Sequence, residues 1–137
     1  CQTFFILTPK SSSTWNLVPN NAKKTEISKL KIIHLNIQTI ANKLHVLQGE
    51  PDVIGISEHW LLHNLHPHIH EYKIVTCYES KKNHIDGGGI IYCRNDITTC
   101  VSELTHIYTF NDELNYECAA IKVVVNNLVF IILHIYR

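Results

Sequence analysis

Methionine is missing from all 137 residues, position 1 included, so the chain is expected to be a fragment or an incomplete gene product. Charge of either sign is not in excess: twelve basic residues meet twelve acidic ones. That balance counts against a dedicated, strongly binding nucleic-acid module, which normally carries a basic surplus. No apolar run approaches the roughly 18 residues that span a bilayer, so no membrane partner is expected. The start, Cys1-Gln-Thr-Phe-Phe-Ile-Leu-Thr-Pro9, lacks the charged leader and small-residue cleavage site of a secretory signal. Cysteine is sparse and unpatterned. Residues 1, 77, 93, 100 and 118 form no Cys-x-x-Cys pair and leave an odd one over, which points to free thiols in a reducing compartment rather than a disulfide framework.

What remains is the composition of one globular domain, 45% hydrophobic and 18% charged, long enough for one sizeable core. Residues 1–29 read as a poorly ordered tail, with Ser11-Ser-Ser-Thr14, Asn20-Asn21, Lys23-Lys24 and prolines at 9 and 19; the patch Phe4–Leu7 is a candidate edge strand. The ordered domain spans residues 30–137. Its first strand is Lys31-Ile-Ile-His-Leu-Asn36. Ile37, Ile40, Leu44 and Leu47 then recur at the spacing of one helical face, and Gly49 and Pro51 end that helix. A second strand covers about Val53–Ser57. Further strands are expected at Tyr72–Tyr78, Gly89–Arg94 and Ile97–Val101. A hairpin follows from about Tyr116 to Tyr136, turning at Asn126-Asn127. Leu128–Leu133 is apolar at consecutive positions, the mark of a strand covered on both faces. One helix cannot cover two faces of such a sheet, so the covering layer is expected in sequence beyond Arg137.

A strand–helix–strand unit makes its two strands parallel neighbours. Asn36 and Glu58 would then emerge at the same edge, beyond the carboxyl ends where open α/β sheets bind ligands. An amide and a carboxylate there suit a hard cation and a phosphate oxygen.

Four segments in this order and spacing carry a resemblance. They are His34-Leu-Asn36-Ile-Gln-Thr-Ile40 with Asn42-Lys43, Pro51-Asp-Val-Ile-Gly-Ile-Ser-Glu58-His-Trp60-Leu61, Gly87-Gly-Gly-Ile-Ile-Tyr-Cys-Arg-Asn-Asp96, and Ile135-Tyr136-Arg137. Together they resemble the endonuclease/exonuclease/phosphatase superfamily, and within it the apurinic-type endonuclease domain of non-LTR retrotransposons that accompanies a reverse transcriptase. The resemblance covers residues 30–137. It implies an α/β fold: the first half of a four-layer α/β/β/α sandwich, with one mixed sheet and one crossover helix. It also implies that Asn36 orients the active-site network, that Glu58 binds the divalent metal, Mg²⁺ or Mn²⁺, and that Tyr136 lies near the scissile phosphate. The implied partners are DNA and the second half of the domain, and the implied location is intracellular, nuclear for a functional retroelement.

Departures accompany the match. The family's Asp-x-Asn segment, further aspartate and Asp-His pair have no counterpart in these residues, and His59 stands where retroelement members usually have threonine. A metal-dependent DNA endonuclease fragment, inactive alone, is therefore the expectation. Two alternatives stand beside it. One is a non-catalytic or decayed interaction module. The other is a zinc-binding domain built on His59, His63, His66, His68 and His70; zinc is not expected there, because Glu58-His59-Trp-Leu-Leu-His63 is not His-Glu-x-x-His and Pro67 favours a loop. Lys81-Lys82 and Arg94 are read as solvated charges rather than DNA contacts. The glycine triplet is read as a sharp turn into a strand, and Glu117 as a surface residue opening the hairpin.

Overall fold

The computed structural model describes residues 3–7, 30–36, 51–57, 66–78, 88–111 and 115–136. Eight strands make up most of them: β1 (Thr3–Leu7), β2 (Ile32–Asn36), β3 (Val53–Ser57), β4 (Tyr72–Tyr78), β5 (Gly89–Arg94), β6 (Val101–Glu103), β7 (Glu117–Val125) and β8 (Leu128–Tyr136). They form two four-stranded sheets, ordered β2-β3-β5-β4 and β1-β8-β7-β6. The expected α/β architecture, one mixed sheet with a crossover helix in the first half of a four-layer sandwich, is thereby corrected. Among the described residues the protein is mainly β, and its only helical segments are the 3-10 turns Asn95–Cys100 and Thr105–Phe110. The helix expected over residues 37–47 lies outside the described residues. None of the described helices is long and apolar enough to cross a membrane.

Two sheets form because strand inner faces need an apolar partner. Val53, Ile91 and Cys93 from β3 and β5 pack with Ala119, Ile121, Val123, Val125 and Ile132 from β7 and β8 in one buried cluster. In a single sheet those side chains would stay in water; stacked, they share a dry interface. The opposite face of the first sheet carries a second cluster, Ile54, Ile56, Ile90 and Tyr92 with Ile69. The strands buried on both faces are therefore β3 and β5, whose residues are buried at consecutive positions. The expectation placed that role on Leu128–Leu133. There Leu128 is 60% exposed and Ile132 is the buried residue, with half-buried neighbours between them.

β2 and β3 are parallel, with Ile32 beside Val53 and Asn36 beside Ser57. The β7–β8 hairpin turns at Asn126-Asn127, both at positive φ (50° and 64°), the geometry of the tight turn asparagine tolerates best. Thr3–Leu7 pairs antiparallel with β8 as an edge strand. The segment expected as a strand at Ile97–Val101 is instead a 3-10 turn leading into the short β6. Thr98 Oγ1 donates to the Asn95 carbonyl at 2.8 Å, the local side-chain bond by which short polar residues draw a backbone out of a ladder.

One rim of the first sheet is held by a buried charge. Asp52 accepts the Lys31 N–H at 2.7 Å and pairs with Arg94 at 2.7 Å, while Tyr72 donates its hydroxyl to the Pro51 carbonyl at 2.7 Å. Arg94 also binds Asp96. The Asp52 carboxylate thus ties the start of β2 to the end of β5. Asp52→Ala is expected to destabilise the fold by about 1–3 kcal/mol, the range for removing a partner of buried donors, and to lower the urea midpoint without changing its slope.

Candidate functional site

The side chains facing the inter-sheet core change character along the strands. On β7 the inward positions run Val125, Val123, Ile121, Ala119 and then Glu117; on β8 Ile132 is followed by His134. Across from them Val53 on β3 gives way to Ser57, and Ile32 on β2 to His34 and Asn36. Because alternate strand residues share a face, one end of the sandwich gathers a hydroxyl, two imidazoles, an amide and a carboxylate. It is the end opposite Arg94, since β5 is antiparallel to β3 with Gly89 beside Ser57 and Cys93 beside Val53. Arg94 is engaged by two carboxylates at the far rim, so it does not serve this one.

The polar groups are interlocked. His34 Nε2 lies 3.1 Å from Ser57 Oγ and 3.2 Å from His134 Nε2, joining the two sheets. One of the two imidazole nitrogens must carry the shared proton and the other the lone pair; two N–H groups facing each other would repel. His34 is half-buried, and that desolvation holds its pKa below the ordinary 6.5. His134 is 2% exposed and Ser57 is fully buried. A hydroxyl with no exposed surface cannot meet a substrate as a nucleophile, so Ser57 is a hydrogen-bond partner of His34. Glu117, expected at the surface, is 8% exposed, and its carboxylate accepts the Gly88 N–H at 2.8 Å. Asn111 holds the start of β7 in place through the Cys118 N–H at 2.7 Å and the Cys118 carbonyl at 3.2 Å. Gly88 takes a positive φ of 84°, and at Gly89 a Cβ would meet His134 Nδ1 at 2.9 Å. Gly88 thus turns the chain into β5, and Gly89 makes room for the His134 ring.

Of the residues singled out from the sequence, Asn36 ends β2 exposed at this rim, in register with Ser57. Glu58, the next residue after Ser57, lies outside the described residues. Tyr136 ends β8 in the other sheet, two positions past His134 and paired with Glu117. His134 goes unnoticed in the sequence, and Glu117 is read there as a surface residue. The available signal was parity: each falls an even number of steps from an inward apolar neighbour on its strand.

The donors suit some cations better than others. Mg²⁺ requires a near-octahedral shell of oxygens, and the described rim offers the Asn36 amide, a Glu117 carboxylate committed to Gly88, and two imidazoles. These residues alone do not make that shell. Among the described residues no group of three or more His, Cys, Asp and Glu is placed to hold a metal. His66, on the histidine-rich connection, lies with Nε2 3.6 Å from Cys77 Sγ, while His59 and His63 lie outside the described residues. Cys77, Cys93, Cys100 and Cys118 are free thiols; burial pushes Cys77 up to about 11 and Cys93 up to about 12, which makes both inert at neutral pH.

No family model, no curated protein and no solved structure matches the chain.

Two outcomes follow from this packing. Gly89→Ala is expected to destabilise by about 1–3 kcal/mol through overpacking. His134→Ala should absorb most of that cost, so a double-mutant cycle in urea shows strong coupling between the two positions. With its pKa depressed in the folded protein, the neutral His34 contributes stability that is full above the unfolded value of 6.5. That contribution is lost as pH falls from there through the lower folded value. Urea midpoints at pH 8 and pH 5 should therefore differ less in His34→Gln than in the unaltered chain.

Proposed function

We propose that this chain carries part of the site of a metal-dependent DNA endonuclease that hydrolyses phosphodiester bonds, of the kind found in non-LTR retroelements. The reading rests on the four segments from His34 to Arg137 and, above all, on one observation. The parallel register sets Asn36 beside Ser57 at the carboxyl edge of β2 and β3, the edge at which the sequence resemblance expects the residue after Ser57, Glu58. In this reading Glu58 takes the divalent cation, Mg²⁺ or Mn²⁺, Asn36 orients the phosphate-binding network, and Tyr136 approaches the scissile phosphate. The interlocked His34–Ser57–His134 cluster ties β2, β3 and β8 together at this rim.

The same reading makes the chain inactive by itself. General-base assistance is worth about 10²–10⁴ in rate, and electrostatic stabilisation often more. None of the 137 residues matches the Asp-x-Asn or Asp-His segments that would provide them.

Mn²⁺ titration into the ¹⁵N-labelled chain tests the metal assignment. The amide resonances of Asn36 and Ser57 should broaden at low Mn²⁺, and Glu58→Gln should abolish the effect. Broadening that survives in Glu58→Gln, or is absent from both residues, refutes it. In a parallel assay with Mg²⁺ on plasmid and abasic-site DNA, nicking should stay at background; nicking that disappears in Glu58→Ala would show a competent enzyme instead.

A further inference from the structure

Two imidazoles meet across the sheets through the same atom of each ring, His34 Nε2 facing His134 Nε2 at 3.2 Å. We infer that this pair is an acid-sensitive latch: it stays closed with one added proton and opens the rim between β2 and β8 when it takes a second.

Counting protons gives the reason. In the neutral pair one Nε2 carries hydrogen and donates, while the other offers its lone pair. A first added proton goes to Nδ1 of the donor ring. One hydrogen still lies between the two Nε2 atoms, so the contact persists as a charge-assisted bond. A second proton has only the accepting Nε2 lone pair left to take. Two N–H groups, each on a cation, then face each other where the contact was, and the rings must part. The outcome is the same whichever ring donates. Ser57 does not relieve it. Its Oγ, 3.1 Å from His34 Nε2, can accept from His34 but leaves the His134 N–H facing a cation.

The surrounding groups hold the limit at one added charge. β4 brings Tyr78, and β7 brings Glu117 and Cys118, to the crevice that His134 lines. β2, β3 and β5 add Asn36, Ser57 and Gly89 at this rim, all neutral. In acid the phenol and the thiol are neutral too. Among the described residues these elements therefore supply one anion, Glu117, which balances one imidazolium and not two. His134 is buried, so water does not screen the second charge. Packing confines the opening to one end. Among the described residues β2 is an edge strand with β3 as its neighbour. Its start is held by Ile32 against the apolar cluster and by the Lys31 N–H on Asp52, which leaves His34–Asn36 as the end that lifts from β8. Lifting it uncovers Ser57, fully buried in the closed form. The latch rests on this contact alone and stands apart from the nuclease reading.

The test is a titration of the full ¹⁵N-labelled chain, reduced and without a histidine tag, from about pH 8 to about pH 4, the range in which imidazole changes charge. Long-range ¹H–¹⁵N spectra report the charge on each ring. One ring should become imidazolium first, with the nuclear Overhauser contact between the His34 and His134 rings retained. The other should follow more than about one pH unit lower, because the two sites are coupled. In that second step the ring contact should vanish, and a neutral gadolinium chelate should begin to broaden the Ser57 and His134 side chains while Ile121 stays shielded. His34→Gln keeps a neutral side chain beside Ser57 and removes one of the two cations. In that variant His134 should titrate in a single step with Ser57 shielded throughout. Should it not fold, the titration of the unaltered chain decides. Two imidazolium rings with the ring contact intact overturn the inference. So does opening on the first proton, loss of shielding at Ile121 in the same step, or opening of the rim over the same range in His34→Gln.

Discussion

Everything else in the structure depends on the stacking of β3 and β5 against β7 and β8. Val53, Ile91, Cys93, Ile121, Val123 and Ile132 lose nearly all contact with water there, and fully burying an aliphatic side chain of this kind is worth about 1.5–3 kcal/mol. Hydrogen bonding within each sheet satisfies the backbone, but it does not say which sheets face each other. The shared apolar surface does.

That interface is not apolar throughout. At the end where β2 and β3 finish, the inward positions are Ser57, His34, His134 and Glu117, three of them buried outright and the fourth half-buried. Polar groups shut between sheets cost free energy unless paired, and here they are: hydroxyl to imidazole, imidazole to imidazole, carboxylate to backbone amide. The same inward geometry that makes them expensive to bury also concentrates donors beside the exposed Asn36. The opposite rim, closed by Asp52 and Arg94, is charged but committed to holding strands together. The two ends of one sandwich thus carry polar residues for different purposes.

Much of the strand pattern was legible beforehand, because apolar runs bounded by turn residues speak for themselves. Tyr72–Tyr78 and Gly89–Arg94 are read from sequence at the limits the structure gives them, and Asn126-Asn127 announces its turn. The errors share a cause. A consecutive apolar run cannot tell which of its faces is covered or by what: within these residues Leu128–Leu133 keeps a partly exposed face, while β3 and β5 are buried on both. Nor do strand boundaries say how many sheets there are. Glu117 looked like a surface residue because a lone carboxylate at the start of a strand usually is one. Only its parity with Ala119 and Ile121, seen against a second sheet, turns it inward.

By itself the amino-acid sequence determined the local alphabet: where strands start and stop, where asparagine turns the chain, and that Asn36 and Ser57 end neighbouring apolar segments. These are decided by periodicity and by the backbone preferences of a few residues within reach of one another. The tertiary structure alone decided that His34 would meet His134, that Gly89 would make room for it, and that Ser57 would be sealed from solvent. Those contacts bring together residues far apart in the chain, whose encounter is set by how two apolar faces pack, a free energy summed over the whole interface and written at no single position.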